Sequence, residues 1–136
     1  MSSILSITIS GLNDAVTRLA NAASNIVNVS STGKLPTSSG AAYTGFQPQD
    51  VVTISNAGGG NGLGVTSALQ PRSPAYTTAS DPTSPNANAQ GLVAAPNVDL
   101  NAELIASKEA QVSYSANAKV IKITEKMQKS LLDAVS

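Results

Sequence analysis

The sequence predicts a mainly α protein: N- and C-terminal α-helices pairing as an antiparallel, coiled-coil-like hairpin, with an extended, partly β, Gly/Pro-rich central region. Apolar residues recur at helical spacing from Ile4 to Val29 and again from about Asp99 to Val135, and the stretch between them is dominated by Gly, Ser, Thr, Asn and Pro. Each end helix carries an apolar stripe at an opposite terminus. The stripes can cover one another only if the chain doubles back; otherwise neighbouring copies must cover them. The chain thus divides into an N-terminal helix (1–30), an irregular or β central region (31–96) and a C-terminal helix (97–136).

In the first helix Ile4, Leu5, Leu12, Ala15, Val16, Leu19, Ala22, Ala23, Ile26 and Val27 share a face. Asn13, Asp14, Thr17, Arg18, Asn21, Ser24 and Asn28 fill the other, where Asp14 and Arg18, spaced i, i+4, read as a solvated ion pair. Gly33, suited to a left-handed cap, and Pro36, which cannot continue a helix, end the element.

The middle reads mostly as loop. Two β-branched runs, Val51 to Ser55 and Val65 to Leu69, are expected to pair as strands across a mobile connector, Asn56 to Gly64. Pro71, Pro74, Pro82, Pro85 and Pro96 then favour an extended surface path over regular ladders.

The last helix opens after Pro96, with Asn97 or Asp99 able to cap it and Glu103 near the positive end of its dipole. Val112, Ala116, Val120, Ile123, Thr124, Met127 and Leu131 form its apolar stripe. Lys119, Lys122, Lys126 and Lys129 form a separate stripe, read as a solvated outer face, with docking to an acidic neighbour as the alternative.

Composition narrows the function. Eight basic residues balance eight acidic ones, so no basic field marks a nucleic-acid or membrane binder. Only 3% of the chain is aromatic, which leaves a thin aliphatic core and a helix pair of marginal stability on its own. His and Cys are both absent, removing the usual general base, thiol nucleophile and transition-metal ligands, and the carboxylates are scattered. The Gly60 to Gly64 run lacks the lysine and following helix of a phosphate loop. No catalytic residue, cofactor, metal or small-molecule substrate is therefore expected. The N-terminus has no basic segment followed by an apolar run, so no cleavable signal peptide is expected.

Three stretches carry a family likeness: Asn25-Ile26-Val27-Asn28-Val29; Asp81-Pro82-Thr83-Ser84-Pro85-Asn86-Ala87-Asn88-Ala89-Gln90-Gly91-Leu92-Val93 running into Pro96-Asn97-Val98-Asp99; and Tyr114-Ser115-Ala116-Asn117 followed by Val120-Ile121. Together and in this order they resemble the bacterial flagellar basal-body rod proteins, most closely the short proximal-rod C branch. Val27, Ser31, Thr32, Lys34, Leu92 and Val112 depart from the family pattern and mark a divergent member or paralogue. The resemblance implies a non-enzymatic axial subunit of the basal-body rod, exported through the flagellar type III apparatus, whose terminal helices assemble with copies of itself and other rod subunits into a helical tube.

On that reading Ile4, Leu12, Leu19 and Ile26, with Val112, Val120, Ile123, Met127 and Leu131, mediate packing. Asn25, Asn28, Asn97 and Asn117 make terminal or interhelix hydrogen bonds, and Tyr114 anchors a contact. The alternative is a secreted amphipathic-helix module of a type III system that binds a membrane or a partner's groove.

Overall fold

A computed structural model describes residues 2–37, 43–58 and 61–134. Helix α1 (Ser2–Val27) leads into two antiparallel hairpins, β1 (Gln49–Gly58) with β2 (Asn61–Pro71) and β3 (Tyr76–Ser80) with β4 (Leu92–Pro96), and helix α2 (Leu100–Ala134) ends the described chain. The expected mainly α class is thus overturned. The expected pairing of Val51 to Ser55 with Val65 to Leu69 lies inside the longer first ladder, the second ladder was not expected, and α1 is not half of a self-contained helix hairpin: it is shared between α2 and the β1–β2 hairpin.

The α1–α2 contact is built from small and polar residues. Thr8, Ala15, Ala22 and Asn25 of α1 are buried, while α2 buries only Glu103 and Ala110. Such a seam brings backbones close. At Gly11 a β-carbon would lie 2.8 Å from Asn117 Nδ2, an atom that donates 3.0 Å to the Ser113 carbonyl. Gly11 opposite Asn117 and Asn25 opposite Glu103 show the two helices running in opposite directions. Most large apolar side chains of α2, with Ile4 and Val16 of α1, are left exposed.

The β1–β2 ladder runs from Gln49↔Pro71 through Val51↔Leu69 and Thr53↔Ser67 to Gly58↔Asn61, with a register shift between Ser55 and Ala57. The connector expected to be mobile is therefore largely paired strand, and its residues 59 and 60 lie outside the described residues. Gly64 shows why glycine interrupts β2: its φ is +90°, and a β-carbon there would sit on Ser10 Oγ of α1. Ser10 Oγ meanwhile accepts from the Val65 amide at 3.1 Å. Gly64→Ala is expected to cost about 2 kcal/mol through backbone strain and the lost helix contact, readable as a lowered urea midpoint with helical content otherwise retained.

The second ladder pairs Tyr76↔Pro96 through Ser80↔Leu92, and Gly33 bridges Ala94 on the other side of β4 with both backbone hydrogen bonds. Gly33 is thus a strand partner with no positive φ, rather than the expected left-handed cap. Val93 and Ala94 are fully buried between these neighbours. Prolines did not exclude the ladder because they stand at its margins: Pro74 precedes β3, Pro82 follows it and Pro96 occupies the terminal pair. Across the β3–β4 loop, Asp81, Ser84 and Asn88 accept hydrogen bonds from the amides of Thr83, Asn86 and Gln90, so polar side chains stand in for ladder partners. Asp99 caps α2 by accepting from the Asn101 and Ala102 amides at 2.9 and 3.2 Å.

Candidate functional site: exposed helix faces around a polar junction

The polar face of α1 carries the β1–β2 hairpin instead of facing solvent. Asp14 Oδ1 accepts from Thr53 Oγ1 at 2.7 Å and Ser67 Oγ at 2.6 Å, a cross-strand pair, while Asp14 Oδ2 accepts from Arg18 Nε at 2.9 Å. Arg18 Nη2 donates to the same threonine at 2.6 Å. The pair read as solvated is a docking device. Burial raises the Asp14 pKa, but the hydrogen bonds from Ser67, Thr53 and Arg18, with the Arg18 charge, outweigh it and hold it below its ordinary 3.8.

A carboxylate with a lowered folded pKa stabilises above its unfolded value and loses that contribution as pH falls through the folded one. Stability should therefore decline below about pH 3.8, and Asp14→Asn should flatten the decline in that window while costing roughly 1–3 kcal/mol at neutral pH. Urea titrations of both chains at pH 3, 4 and 7 check this.

About two turns beyond Arg18 on α1, a second network joins both helices to both hairpins. Asn25, 1% exposed, donates to the Gln49 carbonyl and to Glu103 Oε1, each at 2.9 Å, and accepts from the Gln49 amide. Arg72 Nη2 donates to the same Glu103 oxygen at 2.9 Å and to Asp50 Oδ1 at 2.5 Å, and Arg72 Nη1 to the Asn97 carbonyl. Asn97 in turn donates to the Pro74 carbonyl at 3.0 Å. The bond to Asp50, helped by Glu103, raises the Arg72 pKa above its already high value.

The sequence reading named Asn25 and Asn97 of this junction, placed Glu103 only against the helix dipole, and missed Arg72, Asp50 and Gln49. A signal was there: Asp50 and Arg72 are the only Asp, Glu, Lys or Arg between Lys34 and Asp81.

The remaining named residues are dispersed. Asn28, just past the end of α1, bonds back to the Ser24 carbonyl, and Asn117 to that of Ser113 in α2. Leu12, Leu19 and Ile26 are half-buried, and Ile4 is exposed. On α2, Val112, Tyr114, Val120, Ile123, Met127 and Leu131 are all exposed, Val112 at 71% and Ile123 at 57%. Leu104, Ile105 and Val112 line an open apolar groove on the same helix. The apolar stripe of α2 is thus left in water beside a seam of small residues.

Chemistry is sparse. Among the described residues there is no group of three or more Asp or Glu able to hold a metal ion, and no helix is long and apolar enough to cross a membrane. Residues 89–134, spanning β4 and all of α2, match the family described as flagellar basal body rod FlgEFG protein C-terminal. No curated relative matches the chain. The match supports a flagellar rod family, whose character is structural, and falls on the helix that carries the exposed stripe.

Proposed function

We propose that this chain is a structural subunit of the bacterial flagellar basal-body rod, assembling with copies of itself and with other rod subunits through its two helices. The observation that carries the proposal is the coincidence of the family match at residues 89–134 with a helix whose large apolar side chains are exposed. The polar networks tie elements to one another, as a structural subunit requires.

The finer reading follows the resemblance: a short proximal-rod subunit, exported by the flagellar type III apparatus and ordered fully only when neighbours cover α1 and α2. Folding coupled to assembly suits a chain whose core is Ala15, Ala22, Val93, Ala94 and Ala110. In this reading Ile4, Leu12, Leu19 and Ile26 work with the exposed stripe of α2 as packing residues, and Tyr114, 47% exposed, anchors a neighbour.

Deleting the coding sequence and imaging detergent-extracted basal bodies tests the proposal. Basal bodies with a missing or shortened rod, restored by the wild-type chain, are the expected result; full-length rods in the deletion strain would count against it. Binding of the purified chain to liposomes would instead favour the amphipathic-helix module.

A further inference from the structure

Between α1, α2 and the base of the β1–β2 hairpin lies a cleft of about 250 Å³ that both hairpin and helices line. Its charged residues are Arg18, Asp50, Arg72 and Glu103, and Ala22, Ala102 and Ala106 supply apolar wall. The Glu103 side chain is 6% exposed, and both of its hydrogen bonds end on Oε1; among the described residues Oε2 accepts none. Asp50 stands half-exposed at the rim, paired with Arg72, while Asp14 neutralises Arg18. Two carboxylates share one guanidinium, so the cleft is short of one cation.

Cations stand unpaired at the other end of the molecule. Lys119, Lys122, Lys126 and Lys129 are exposed, and among the described residues none is in an ion pair. Formal net charge is zero, yet residues 119–136 hold four lysines against Glu125 and Asp133, a net of +2, balanced by −2 over the rest of the chain. With Gly11 level with Asn117, α1 starts about level with residue 126, so the last two turns of α2 overhang it. Glu103 and Lys126 lie on one continuous helix, about 35 Å apart at ~1.5 Å per residue. No copy can place its own overhanging lysine in its own cleft.

We infer that the cleft receives a lysine from the overhanging end of α2 of a second copy, Lys126 or Lys129. The alanine walls cover the four-carbon stem, and the ammonium donates to Glu103 Oε2 and the Asp50 carboxylate. Giver and receiver surfaces differ and sit at opposite ends of α2. The contact is therefore heterologous, and on the rod-subunit reading it repeats along the helix axis without closing. It rests on the rod-subunit reading and adds to it a direction and a register of self-assembly.

The chain has no cysteine, so introduced thiols report unambiguously. Val51→Cys copies are mixed with Gln128→Cys or Ser130→Cys copies, assembled, and treated with a short bifunctional maleimide, with Lys108→Cys on the near half of α2 as control. Asp50, Glu103, Lys126 and Lys129 are retained throughout. Covalent dimers are expected from the mixtures with a distal α2 cysteine at least about tenfold above the control. In parallel, the otherwise wild-type Lys126→Gln/Lys129→Gln chain should assemble only at about tenfold higher concentration, equivalent to ~1.4 kcal/mol, and lose most of its salt sensitivity.

Chains that sediment as assemblies but give no dimer above the control overturn this contact and leave the rod-subunit reading standing. Failure of the wild-type chain to self-associate overturns the contact as well, since it requires a second copy; the deletion and basal-body experiments then decide the rod reading separately.

Discussion

Replacing Ile123 by Asp is expected to abolish assembly while leaving the isolated chain folded. Ile123 is 57% exposed and shares the outward stripe of α2 with Val112, Val120, Met127 and Leu131. In the monomer its aliphatic surface is already largely in water, so an aspartate there should alter stability by no more than about 0.5 kcal/mol. In an assembly the same position becomes buried, and an unpaired carboxylate in an apolar contact costs several kcal/mol. Sedimentation of assembled material should fall to background while circular dichroism and the urea midpoint of the monomer stay unchanged. Leu19→Asp is expected to block assembly too, but Leu19 is half-buried, and its loss also weakens the fold. Ile123→Val should assemble as wild type. Undiminished assembly by Ile123→Asp would remove the α2 stripe from the interface.

Glu103→Ala should produce the largest loss of monomer stability, about 3–5 kcal/mol, from the loss of two charge-assisted hydrogen bonds worth ~1.5–3 kcal/mol each. Glu103 is 5% exposed, and its Oε1 takes hydrogen bonds from both Asn25 and Arg72. Without it Asn25 Nδ2 keeps only the Gln49 carbonyl as acceptor, and Arg72 keeps the exposed Asp50 and the Asn97 carbonyl. Because this junction ties α1 and α2 to Gln49, Asn97 and the strands that flank them, the loss should reach both hairpins. At roughly 4 °C per kcal/mol for a chain of this size, the melting temperature should drop by more than about 10 °C. Glu103→Gln keeps an acceptor for Asn25 but no charge for Arg72, and should fall between the two. A drop under about 2 °C for Glu103→Ala would mean that the junction does not hold the elements together.

Both helices were legible in the sequence because their apolar spacing is long and regular, and Asp99 announced the start of α2. The role of each helix face was less so. Periodicity shows that a stripe exists but not what covers it: on α1 the polar residues Ser10, Asp14, Arg18, Asn21 and Asn25 hold the β1–β2 hairpin, and on α2 the large apolar residues face outward. The strands were cut short for a local reason. Gly58, Asn61 and Gly62 have poor strand propensity, yet they pair because the ladder from Gln49 to Ser55 carries the register onward, while Gly64 falls at the register shift, where Ser10 leaves no room for a side chain.

The β3–β4 ladder escaped for the opposite reason: prolines that forbid a strand interior are harmless at strand ends, and its second neighbour, Gly33, is distant in sequence. Of the junction, the asparagines were recognisable through their likeness to rod proteins. Arg72 had no motif around it. A lone arginine and a lone aspartate in a charge-poor stretch were the available hint that each has a partner.

The most direct test of the rod-subunit proposal is mass spectrometry of detergent-extracted hook and basal-body complexes purified from the source cells. The account predicts peptides of this chain, including those from residues 89–134, in stoichiometric proportion to the other axial subunits. Intact complexes in which this chain is absent would contradict it.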